Sequence, residues 1–113
     1  MHVFKVALAF GAACVAAGLG GCAGMGTVAP AVTPAMAAAS GTPTATLNAG
    51  RELFATRCTA CHNADPVSSR TAKAWRQVVD EMADRAKLQA SERSALLAYL
   101  SAAQTSGSAP TGR

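Results

Sequence analysis

Only one charged side chain, Lys5, precedes Leu47. The stretch before Leu47 is built largely from Ala, Gly, Val, Pro and Thr and shows no apolar stripe at helical spacing. A stable fold is therefore expected only in residues 47–103, ahead of a polar tail, QTSGSAPTGR, at 104–113. A domain of that size, with Phe54, Trp75 and Tyr99 as its aromatic residues, sits near the lower limit of what a hydrophobic core can hold together alone. Domains this small are usually stapled by disulfides, a metal or a cofactor.

The residues that could form a staple lie in one place. The stretch RCTACHNAD, residues 57–65, holds Cys58 and Cys61 three positions apart, with His62 next to the second. A structural zinc ion needs four ligands. Beyond this motif the chain offers only His2, Cys14 and Cys22, all near its beginning, and adjacent ligands at 61 and 62 fit poorly on one tetrahedral ion. A redox dithiol would need the C-x-x-C to open a helix in a strand-containing setting, whereas here it follows a helical pattern and no segment alternates like a strand. Covalent haem accounts for all three residues. Two thiols on one tight turn reach the two vinyl groups of a porphyrin, and the following histidine becomes the proximal iron ligand, which makes C-x-x-C-H the mark of c-type attachment.

The beginning of the chain reads MHVFKVALAFGAACVAAGLGGC. Lys5 precedes an apolar run from Val6 to about Leu19, too short and too rich in Gly and Ala for a comfortable membrane span, so residues 1–21 read as a secretory signal. Leu19-Gly20-Gly21-Cys22 resembles the bacterial lipobox, in which the cysteine is acylated and the chain is cut just before it. An ordinary cut at Ala35-Met36-Ala37 is the alternative, but lies far from the apolar run. With Cys14 discarded and Cys22 lipidated, only Cys58 and Cys61 remain to be explained.

Residues 22–46 read as a flexible tether on that lipid. Over the 24 residues after Cys22 a random coil reaches roughly 27 Å, enough for the domain to swing clear of the lipid surface. An Ala-rich helix over 35–39 would be too short to stand alone. The net charge of +4 includes Lys5 and would fall further with bound propionates. Basic and acidic residues are interleaved and aromatics are few, so nothing points to nucleic acid.

From Leu47 the pattern is helical. Leu47, Gly50, Phe54 and Arg57 lie at helical spacing, and Pro66 ends a loop through Asn63 and Asp65. A second helix is expected from about Ala72 to Ala86, capped by Thr71, because Trp75, Val78, Val79, Met82 and Ala86 share one face. A third is expected after Ser91, with Glu92 in its first turn, and runs to about Ala102 with Leu96, Tyr99, Leu100 and Ala103 as its apolar face. The fold class is all-α, about three helices around one bound group.

On these residues the chain resembles a class I monohaem cytochrome c over essentially all of 47–103. Gly50 and Phe54 ahead of Cys58 look like that family's N-terminal helix, and Leu96 with Tyr99 like its C-terminal helix. The resemblance implies that the two helices cross closely at the glycine, with Phe54, Leu96 and Tyr99 beside the haem. It also implies a second axial ligand, and Met82 is the methionine that follows the motif, Met25 and Met36 lying in the expected tether. A flexible core filler is the other reading of Met82. Lys73 and Lys87 are fallback ligands. Trp75 either donates its indole N–H to a propionate or packs in the core. Arg70, Lys73 and Arg76 would pair with propionates, guide an acidic partner or simply face water.

A haem held by His62 and Met82 has both axial positions filled. The expected role is a non-enzymatic, lipid-anchored electron carrier, exchanging single electrons with redox proteins on the periplasmic side of a bacterial envelope. Ala23, where some bacteria place an inner-membrane aspartate, tilts the destination toward the outer membrane. The rival is a haem-based sensor or ligand-binding protein in which the sixth iron position is open.

Overall fold

A computed structural model of the chain describes residues 28–107, which form four α-helices and one 3-10 turn, with no strand among the described residues. In chain order these are α1 (Pro34–Ser40), α2 (Thr44–Thr56), the 3-10 turn Val67–Ser69, α3 (Ala72–Met82) and α4 (Ala90–Gly107). The all-α expectation stands. The expected signal at 1–21, Cys22 and the last residues of the tail, from 108, lie outside the described residues.

The helix ends follow local chemistry. Thr33 caps α1 by accepting from the Met36 N–H at 3.1 Å, Pro34 occupies its first turn, and Gly41 closes it with φ 64°. Thr71 caps α3 as expected, accepting from the Ala74 N–H. At α4 the helix starts two residues earlier than expected. The helix begins at Ala90, not after Ser91, and the Glu92 carboxylate reaches back to the Gln89 N–H at 2.8 Å, which is half of a capping box.

The packing centre is the crossing of α2 and α4. A Cβ on Gly50 would stand 2.2 Å from the Ala95 carbonyl oxygen and 2.7 Å from the Tyr99 Cβ, so only a glycine permits this approach. Leu47, Phe54, Leu96, Tyr99 and Leu100 are buried around the crossing. Phe54 links the layers, with Trp75 of α3 edge-on at 5.5 Å between ring centroids and Tyr99 of α4 at 6.4 Å.

Three boundaries differ from the sequence reading. The expected tether over 22–46 is ordered from Val28 onward. The Val67 N–H donates to the Val28 carbonyl, Arg51 Nε donates to the carbonyls of Ala29 and Pro30, and the Tyr99 hydroxyl donates to Pro30 at 2.8 Å. Met36, assigned to the tether, is buried, and α1 lies against α4. A helix of seven residues does not persist in water alone, but here it gains a tertiary face. The expected second helix to Ala86 stops at Met82, where Ala83–Lys87 turn back. Leu88 N–H to Ala83 and Lys87 N–H to Asp84 form a Schellman closure, with Lys87 in the left-handed region at φ 52°. The expected tail from 104 begins as helix, because α4 continues to Gly107 and Gln104 donates to the Val67 and Arg70 carbonyls.

Candidate cofactor site

The loop after α2 and the end of α3 bring the predicted site residues to one cavity of about 650 Å³. That volume lies within the range of roughly 300–1,000 Å³ typical of cofactor and small-molecule sites. Cys58, Cys61 and His62 line it from the loop, and Met82 from the last residue of α3. Phe54 of α2, Trp75, Val78 and Val79 of α3, and Leu96 and Leu100 of α4 supply apolar wall.

The cysteine loop takes its shape from the unwinding of α2. The Arg57 and Cys58 N–H groups both donate to the Leu53 carbonyl, and the Thr59 hydroxyl donates back to Ala55 at 2.6 Å. Arg57 then reaches across to the Ala86 carbonyl at 3.2 Å and stands 3.9 Å from Glu92, tying the loop to the turn after α3. Cys58 and Cys61 are both free thiols. Cys58 is half-buried, and that burial pushes its thiol above the ordinary range, whereas Cys61 is exposed.

His62 Nδ1 lies 3.0 Å from the Asn63 carbonyl oxygen. A carbonyl can only accept, so Nδ1–H is the donor in this contact, and in the neutral ring the lone pair then belongs to Nε2. That is the tautomer a metal-ligating histidine needs, with the ring steadied by a backbone acceptor. Among the described residues no three His, Cys, Asp or Glu side chains converge as a group that could hold a metal ion. The dithiol reading lacks its setting, since the C-x-x-C follows α2 and no strand is present among the described residues.

Of the two places expected for Trp75, the structure shows the core: its single N–H donor is directed at the Val67 carbonyl at 2.8 Å. Its ring forms wall, with the Arg70 guanidinium 5.6 Å above it. Tyr99, expected beside the bound group with Leu96, does not line the cavity; its hydroxyl goes to Pro30 on the other side of α4. Met82 is half-buried and ends its helix, so its side chain leaves the last ordered turn rather than the helix interior. Of the fallback cations, Lys87 lines the cavity and Lys73 does not.

The rim is charged. Arg57, Asp65, Arg70, Glu81, Arg85 and Lys87 border the opening, and Arg70 pairs with Asp65 at 2.5 Å. Arg76, grouped with Arg70 from sequence, is not on this rim. Sequence reasoning missed Arg57, Arg85 and Glu81, because their place depends on how α2 ends and how the chain turns after Met82. The Asn63 carbonyl was equally hidden, being backbone. Compared with known proteins, the chain matches no family model, and no curated protein and no solved structure matches it.

Proposed function

We propose that this chain is a lipid-anchored, single-haem electron carrier of the class I cytochrome c kind, working on the periplasmic side of a bacterial envelope. The observation that carries the reading is one cavity of cofactor size lined by Cys58, Cys61 and His62 of a C-x-x-C-H loop together with Met82 from a different element. These residues fit a covalently bound haem. Cys58 and Cys61 would carry the thioethers, and the His62 ring, with Nδ1–H on the Asn63 carbonyl, would offer Nε2 to iron.

A haem bound here would supply one-electron chemistry at its iron. The chain's own groups set the conditions for it. The Asn63 carbonyl holds the His62 ring by its Nδ1 proton and raises the basicity of the opposite nitrogen. Met82 offers a soft thioether, a weaker donor than a second histidine, which favours the reduced state and a higher potential. Phe54, Trp75, Val79, Leu96 and Leu100 would keep water from the bound group, while the charged rim faces solvent and would orient redox partners. His62 and Met82 would both hold the iron, which would leave no site on the metal for a substrate and make the chain a carrier rather than an enzyme. The anchor on Cys22 follows from the lipobox-like sequence.

The test is an absorption spectrum of the protein matured with haem, in oxidised and reduced forms, after denaturing treatment that strips non-covalent chromophore. The expected result is retained haem with sharp low-spin reduced bands and a weak far-red sulfur-to-iron band that Met82→Ala abolishes, together with a lowered potential. A high-spin spectrum that shifts at once with carbon monoxide would replace the carrier by a ligand-binding haem protein. Loss of all chromophore on denaturation would remove both.

A further inference from the structure

The lipid anchor and the folded domain are much closer along the chain than the composition implies. Val28 is already fixed to the domain, its carbonyl accepting from the Val67 N–H at 3.1 Å, while Arg51 and Tyr99 hold the next two carbonyls. Between Cys22 and Val28 lie five residues, Ala-Gly-Met-Gly-Thr. Fully extended, six Cα-to-Cα steps span at most about 20 Å. Of that, crossing the headgroup layer uses roughly 5–8 Å. What remains, on the order of 12 Å, keeps the domain close to the bilayer surface.

The surface beside the attachment point suits that position. Val28 is the exposed large hydrophobic residue of the described surface, 44% accessible. It borders a shallow groove of about 330 Å³ with Ala29, Ala55, Thr59 and Asn63, floored by Phe54 and Ala64. None of these residues carries a charge, in contrast to the rim of the main cavity. Phe54 and Ala64 line both hollows, so the groove lies across them from the cofactor cavity.

We propose that this uncharged groove face is the membrane-facing side of the domain, laid on the surface of the lipid bilayer that holds Cys22. The proposal rests on the lipid-anchor part of the function above. Val28 and its groove are too small to bind lipid unaided, and they supply orientation while the acyl chains supply affinity. The charged rim is then left to water, and redox partners must meet the domain within reach of the membrane plane.

The experiment uses the full chain, processed and matured in cells, recovered in native membranes. Ala55→Cys marks the groove, and Asp84→Cys, on the turn after α3 and in neither hollow, serves as reference. Each is labelled with a membrane-impermeant maleimide on opened membranes, and the modified site is quantified by peptide mass spectrometry. On the membrane Ala55→Cys should react several-fold more slowly than in the soluble Cys22→Ser background, while Asp84→Cys reacts equally in both. A long Gly/Ser spacer inserted between Thr27 and Val28 should restore the Ala55→Cys rate without releasing the protein. Equal Ala55→Cys rates in anchored and soluble forms, with acylated Cys22 confirmed by mass, would overturn the orientation and leave the anchor standing. An unacylated Cys22 in a soluble protein would overturn the anchor and the orientation with it.

Discussion

The two sides of Phe54 are built differently. On one, α2 and α4 meet at Gly50 with backbone against backbone, and Leu47, Leu96 and Tyr99 are wholly excluded from solvent. On the other, α3 buries Trp75 and Val79, pairs Asp80 with Arg93 of α4, and borders a cavity of about 650 Å³. Natural interiors are packed to near crystal density and leave few voids larger than a water molecule. The first side is complete as polypeptide. The second leaves a cavity of cofactor size beside α3, the space that the proposed haem would fill.

The sharpest way to break that contrast is to remove the attachment. With Cys58→Ser and Cys61→Ser together, covalent haem should be lost completely. By hydrogen exchange, the amides of α3 should then lose most of their protection, while those of α2 and α4 around Gly50 keep theirs. Equal loss throughout would mean that the two sides are one cooperative unit. The next largest effect attacks the other side. Gly50→Ala places a methyl group against the Ala95 carbonyl, and since backbone rather than a flexible tip stands in the way, the helices must separate. A destabilisation of about 3 kcal/mol is expected, read as a shift in the chemical denaturation midpoint. Trp75→Phe is milder. It deletes the donor to Val67, a carbonyl that still accepts from Gln104, and leaves a small void beside Phe54, for a loss of about 2 kcal/mol by the same measurement.

The same contrast explains what the sequence could reveal. The C-x-x-C-H loop stood out because its chemistry is local: two thiols, a histidine and their spacing sit within five residues, and the structure brings all three to one cavity with Met82. The α2 and α4 faces were legible too, as Gly50, Phe54, Leu96 and Tyr99 stand at helical spacing. Met82 was placed on the right face, but the helix end there was not foreseen, because Lys87 adopts a left-handed turn usually given to glycine. The ordered segment before Leu47 was missed for a different reason. Its stop signals were present, with Thr33-Pro34 opening α1 and Gly41 closing it. Composition outweighed them, and the bonds that fix the segment run from Arg51, Val67 and Tyr99, residues far along the chain.

Those bonds give the smallest and most selective prediction. Tyr99 is buried and its hydroxyl donates to Pro30, so burial pushes its pKa from 10.0 up to about 12, despite the opposing pull of Arg51. The neutral phenol is thus favoured in the folded state over the unfolded one. Its contribution is fully present below pH 10.0, where both states are protonated, and is lost as pH rises toward about 12. Tyr99→Phe removes the donor, but Pro30 still accepts from Arg51 Nε, so the loss at neutral pH should be about 1 kcal/mol or less. The loss should be confined to the segment before Leu47, seen as faster exchange of the Met36 and Ala37 amides, with the α2 and α4 crossing unmoved. The variant should also lack the part of the alkaline stability decline that belongs to this phenol. A decline identical in both proteins would assign it to other groups, and a variant that frees the cofactor side as well would show that the early segment braces the whole domain rather than one face of it.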